Sequence, residues 1–186
     1  MALDELIRCV QNTKARRLSD HESFMAVQHA LLDWVAQRPP TVSVRDGAPQ
    51  TPYRRRLLNR PQDDFQIVQV YWAPGQTSPI HDHQGVVGAV AALRGHCVEV
   101  KYRVTDDDGE QVCLMVAEQT DLYERIASPI YPGETGQLHC MRNPSTTKPS
   151  VTVHVYLRPV IQFNQYQPQL SGWYRRVPTV LWFDAD

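Results

Sequence analysis

The sequence predicts an all-β fold, a small antiparallel β-barrel of the jelly-roll kind, with an N-terminal helical layer. Three observations lead there. The opening stretch places apolar residues at helical spacing, the remainder alternates short β-branched and aromatic runs with turn signals, and no helical pattern falls between those runs. Strands joined without intervening helices pair antiparallel and close on themselves, which argues against a doubly wound parallel sheet. A chain of 186 residues has the length of one domain with a real hydrophobic core, about 1–40 helical and about 41–186 barrel. No repeat, low-complexity tract or linker divides it.

Leu3, Leu6, Ile7 and Val10 form the apolar stripe of a first helix. After the basic stretch around Lys14-Ala15-Arg16-Arg17, the segment Ser19-Asp20-His21-Glu22 is a capping box. The Ser19 hydroxyl accepts from the amide three residues on, and Glu22 reaches back to the Ser19 amide. Phe24, Val27, Leu31, Trp34 and Val35 line one face of the second helix, which Pro39-Pro40 stops. His21 sits within the capping box and His29 off the apolar stripe, so both are surface residues without a metal role. Strands follow at residues 65–72, 86–93, 97–104, 112–116 and 151–157, the first of them ending in the turn Ala73-Pro74-Gly75. Asp106-Asp107-Asp108-Gly109 is a hairpin turn between two of these runs. The segment after about residue 158 carries no motif that assigns it a role.

A net charge of -1 creates no field that would gather nucleic acid or an anionic membrane. The local run Arg54-Arg55-Arg56 is either a solvated basic patch or something more specific. No apolar stretch has the length of a bilayer span, and the acidic Asp4-Glu5 start argues against a signal peptide. Cys9, Cys97, Cys113 and Cys140 lack CxxC spacing and read as free thiols of a reducing compartment, the cytoplasm.

The chemistry concentrates on histidines. In an extended segment His81 and His83 point to the same side, and two imidazoles buried together need partners for four ring nitrogens. A divalent metal partners both; a hydrogen-bonded core is the plainer alternative. The glycine frame favours metal. Gly75, five residues, His81-x-His83 and then Gly95 match the spacing of a first cupin motif, and Gly136-Gln137-Leu138-His139 with Asn143 matches the end of a second. Where a cupin usually places a glutamate ligand, this chain has Gly88. Three neutral ligands with open positions make a catalytic arrangement rather than a structural one. His96 and Cys97, next to Gly95, read as a surface residue and a packed thiol.

From about Tyr53 to Tyr156 the chain resembles the cysteine dioxygenase family, cupin thiol dioxygenases that use iron(II) and O2. Ser78-Pro79-Ile80-His81-Asp82-His83 matches its ligand stretch, Trp72 its tryptophan nine residues earlier, and Leu138-His139 its third ligand. Tyr53-Arg54-Arg55 matches its Tyr-x-Arg, and Thr152-Val153-His154-Val155-Tyr156 its Ser-x-His-x-Tyr. The resemblance implies Fe(II) on His81, His83 and His139, with L-cysteine as the small-molecule thiol partner and O2 converting it to cysteine sulfinic acid. It implies that Arg55 holds the substrate carboxylate with Tyr53 beside it, while His154, supported by Thr152, orients a catalytic Tyr156. Trp72 either shapes the pocket or is an ordinary core residue. Gly88 stands where animal members carry a cysteine cross-linked to the matching tyrosine, so the resemblance is to the bacterial type without that bond. Two alternatives stay open. Relatives that oxidise 3-mercaptopropionate carry glutamine at the Arg55 position, and a non-oxidising cupin, an isomerase or a small-molecule binding module, would also use neutral imidazoles.

Overall fold

Two helices form the predicted layer in a computed structural model of the chain, which describes residues 1–37, 54–123, 126–130 and 138–184. Tyr53, Pro39-Pro40, Gly136 and Gln137 lie outside the described residues. Helix α1 (Leu3–Ala15) buries Leu6 and Val10. Helix α2 (Asp20–Ala36) starts at the expected capping box, in which Ser19 Oγ accepts from the Glu22 amide and Glu22 Oε2 accepts from the Ser19 amide at 2.9 Å. Its face of Phe24, Val27, Leu31, Trp34 and Val35 is buried, and His21 and His29 are exposed. No helix among the described residues is long and apolar enough to cross a membrane.

The strands are β1 (Arg54–Leu57), β2 (Gln66–Trp72), β3 (Ile80–His81), β4 (Gly88–Arg94), β5 (Cys97–Asp107), β6 (Gln111–Leu122), β7 (Ala127–Ile130), β8 (Leu138–Arg142), β9 (Ser150–Tyr156), β10 (Gln162–Pro168) and β11 (Trp173–Val180). One five-stranded sheet has the order β1-β2-β9-β4-β7; the other six strands, β10-β11-β6-β5-β8-β3, close into a barrel. Every registered pair is antiparallel. This is the cupin-type barrel with N-terminal helices that the sequence predicts.

The five-stranded sheet has two buried faces, and they do different work. Ile67, Ala89, Ala91, Val151, Val153 and Val155 meet the helices. Val68, Val70, Trp72, Val90 and Tyr156 turn the other way and pack with Cys97, Met141 and Phe163 of the barrel sheet. Because side chains alternate, the valines of β9 build the helical interface while Thr152, His154 and Tyr156 enter the barrel. Gly75 and Gly95 both hold positive φ, 72° and 73°, at the turns their spacing predicted. The four cysteines are free, and burial pushes the Cys97 thiol up to about 11.

Three features differ in extent from the sequence expectation. Strand β6 continues well past residue 116, because Glu118 to Asp121 pair with β5 while remaining mostly exposed. The three-aspartate turn begins later than its sequence suggests, since Asp106 and Asp107 still pair in β5. The unassigned tail forms the hairpin β10-β11, which completes the barrel.

Candidate metal centre

Each histidine of the predicted triad arrives by a separate structural device. His139 lies on β8 directly opposite His81 of β3. The loop before His81 is clamped to β8, with Ser78 N donating to Met141 O at 2.8 Å and Ser78 Oγ accepting from Met141 N at 3.0 Å. Between the two histidines of the pair, Asp82 is buried and turned toward β10. It accepts from the Asn164 amide at 3.0 Å, Asn164 Nδ2 at 2.8 Å and Tyr166 Oη at 3.1 Å. That anchor leaves His81 and His83 on the opposite side, although only His81 belongs to a strand. Asn143, at the end of the second motif, donates to the carbonyls of Trp72 at the end of β2 and of Ala73 and Lys148, and so supports the barrel rather than the site.

The three imidazoles converge. Ring centroids lie 5.0 Å apart for His81 and His83, and 4.7 Å apart for each with His139. One ring nitrogen from each falls within 4.8 Å of the others. His81 Nδ1 donates to the Pro79 carbonyl at 3.0 Å, and His139 Nδ1 donates to Glu99 Oε1 at 2.5 Å. Both partners only accept, so each ring carries its proton on Nδ1 and presents a lone pair at Nε2. Those two Nε2 atoms face each other at 3.3 Å. Opposed lone pairs repel unless a cation stands between them. Desolvation by burial, and then His139, hold His81 well below the usual imidazole range, so its Nε2 is unprotonated at neutral pH. Metal–nitrogen bonds of about 2.1 Å at octahedral or tetrahedral angles separate neighbouring ligands by roughly 3.0–3.4 Å, so the His81–His139 spacing fits a divalent metal.

Beside the triad is a pocket lined by Val70, Met141, Phe163 and Leu181 as well as by Arg55, Trp72, His154 and Tyr156. Among the three arginines of β1, Arg54 and Arg56 are exposed and Arg55 is half-buried, as strand alternation predicts. Its backbone amide donates to Asp184 Oδ2 at 2.7 Å, and its guanidinium lies 5.6 Å from the ring centre of Trp182. Trp72 meets both of its sequence alternatives: it is buried, it lines the pocket, and its Nε1 donates to Thr152 Oγ1 at 2.9 Å. Thr152 Oγ1 lies 2.9 Å from His154 Nε2, and His154 Nδ1 lies 3.2 Å from Tyr156 Oη. Burial, followed by the charges of His139 and Arg55, depresses His154 to about 3, so its ring is neutral. The Tyr156 ring lies 5.5 Å from that of His83.

The structure also adds residues to the site. Glu99 touches a triad histidine, Asp82 anchors the pair, and Phe163 and Leu181 wall the pocket. The middle residue of the His-x-His pair could have been suspected, because alternation turns it away from the other two. His96 and Cys97 stay out of the site, as expected: His96 bonds Asp121 at 2.7 Å, and Cys97 lies 3.0 Å from Ser150 Oγ.

The model of the cysteine dioxygenase type I family matches residues 45–169. Over 157 residues the chain is 26% identical to cysteine dioxygenase type 1 of Rattus norvegicus, covering 84% of this chain and 74% of that one. The enzyme of Bos taurus is 25% identical over the same length and shares. The cupin_2 domain of an XRE family transcriptional regulator from Enterobacter cloacae superposes with a TM-score of 0.43 at 20% identity, over 59% of this chain and 99% of that one.

Proposed function

The chain belongs to the cysteine dioxygenase type I family, and from that membership we propose an iron(II)-dependent thiol dioxygenase that converts L-cysteine and O2 to cysteine sulfinic acid. One observation carries the proposal: the Nε2 atoms of His81 and His139 oppose each other at 3.3 Å beside a pocket that also holds a guanidinium. Imidazoles bind a metal as neutral ligands and Gly88 adds no carboxylate, which would leave room for the thiolate and amine of a chelating substrate and for O2. Iron(II), when bound, supplies a Lewis acid that lowers the thiol pKa and a redox partner for O2. The reaction balances without a further reductant, since the thiolate sulfur gains both atoms of O2 and becomes a sulfinate.

The chain's own residues orient the substrate and direct protons. Arg55 offers a planar fork that matches a carboxylate. Trp72 Nε1 can only donate, so Thr152 Oγ1 accepts from it and passes its own proton toward His154 Nε2. Neutral His154 then donates from Nδ1 to the Tyr156 oxygen. This order directs the Tyr156 hydroxyl proton to the substrate carboxylate or to O2, which makes Tyr156 the catalytic residue and His154 its support. Gly88 is the register partner of Tyr156, and it brings no thiol for a cross-link, so Tyr156 is an unmodified phenol.

The test is oxygen uptake by protein loaded anaerobically with iron(II). Faster uptake with L-cysteine than with 3-mercaptopropionate is expected. The reverse preference would assign the site to mercaptopropionate, and no uptake with either would leave a non-oxidising cupin.

A further inference from the structure

Glu99 belongs to no motif of the site, yet it stands on β5 with 0% of its surface exposed. A bare carboxylate is costly in such a place, so its partners need a reason. Oε1 accepts from His139 Nδ1 at 2.5 Å. Oε2 lies 3.9 Å from Nζ of Lys101, itself 3% exposed, and Lys101 reaches Glu118 at 3.6 Å. In the register of β5 against β8, Glu99 pairs with Met141 and Lys101 with His139. The acid and the ammonium therefore share the sheet face of the third histidine, and Val98 and Val100 take the other face with Cys140. A carboxyl group that meets an imidazole N–H on one oxygen and faces an ammonium from the other is placed to be a carboxylate.

We propose that Glu99 is a positioning residue of the metal site: it holds His139 in the Nδ1–H form with Nε2 aimed at the cation, and it supplies at one remove the negative charge that no direct ligand provides. Three neutral imidazoles carry no charge toward a divalent ion. A carboxylate accepting the outer N–H of one of them raises that ring's donor strength and fixes its orientation. The Lys101 ammonium, 3.9 Å from the second oxygen, balances its charge, and the first oxygen takes the His139 N–H. The proposal rests on the metal reading of the triad and is independent of which thiol is oxidised.

Two measurements test it. Nitrogen-15 spectra of the metal-free wild-type protein should show the His139 proton on Nδ1. Cobalt(II) titration against a competing chelator should show Glu99→Gln binding about tenfold to a hundredfold more weakly than wild type, with a shifted visible spectrum and unchanged circular dichroism. Gln keeps the length and an acceptor oxygen but not the charge. An Nε2–H tautomer in wild type, or equal cobalt affinity in a folded Glu99→Gln protein, would overturn the proposal. Should that variant fail to fold, the wild-type nitrogen spectrum decides alone. Wild-type protein that takes up no cobalt would remove the metal centre and this role together, whereas equal affinities would remove only the role of Glu99.

Discussion

Arg55 is half-buried between two exposed arginines, which sets it apart from a solvated patch. A guanidinium–carboxylate pair contributes on the order of 1.5–3 kcal/mol, so Arg55→Gln should raise the KM for cysteine about tenfold to a hundredfold, with a smaller fall in kcat. Steady-state kinetics check it, and an unchanged KM would move the carboxylate anchor to Arg54 or Arg56. His154 yields a prediction about stability. Its folded pKa, about 3, lies below the ordinary 6.5, so between those values the unfolded chain binds more protons than the folded one. Its contribution is fully present above about pH 6.5 and is lost as pH falls toward 3, with a slope of up to about 1.4 kcal/mol per pH unit. Urea unfolding of metal-free protein at several pH values should show this slope, and His154→Gln should flatten it. At this scale the sequence was legible wherever a residue type is rare in its setting. The paired histidines, Arg55 and the polar residues on a valine strand could all be read. Glu99 could not, because Cys97-Val98-Glu99-Val100-Lys101 has the alternation of a strand with one solvated face, and nothing local says that both faces are covered.

Strand β9 shows how one element serves the core and the site together, with Val151, Val153 and Val155 against the helices and Thr152, His154 and Tyr156 in the barrel. Its neighbour β4 approaches so closely that a Cβ on Gly88 would run into the Val155 carbonyl oxygen. The residue that a cupin usually uses as a ligand is therefore, in this chain, a point of backbone contact. Gly88→Ala should destabilise the protein by about 1–3 kcal/mol through overpacking, measured as a lower urea midpoint at unchanged m-value. An unchanged midpoint would mean that β4 and β9 can separate without loss. Strand β9 was legible from its period-two pattern. The hairpin β10-β11 was not, since the buried residues of β10, Phe163 and Tyr166, are three apart and their neighbours are polar. Those polar neighbours have a purpose the pattern hides: Asn164 holds Asp82, and through it the histidine pair.

In the whole molecule, the helical layer and the two sheets leave one sheet interface in which a histidine triad, a guanidinium and a buried phenol meet. The antiparallel barrel was legible because strands followed one another without helices between them. The motifs stop near Tyr156, but the pocket does not, since Val160, Phe163 and Leu181 complete its walls and Asp184 bonds to the backbone of Arg55. Such closure is set by long-range register, which short sequence patterns do not carry. The central claim is that this enclosed site places both atoms of O2 on a thiol. Its most direct test is mass spectrometry of the product after iron(II)-loaded protein turns over L-cysteine under oxygen-18 gas in ordinary water. The account predicts cysteine sulfinic acid with both sulfinate oxygens labelled. A product with one labelled oxygen or none, or disulfide alone, would contradict it.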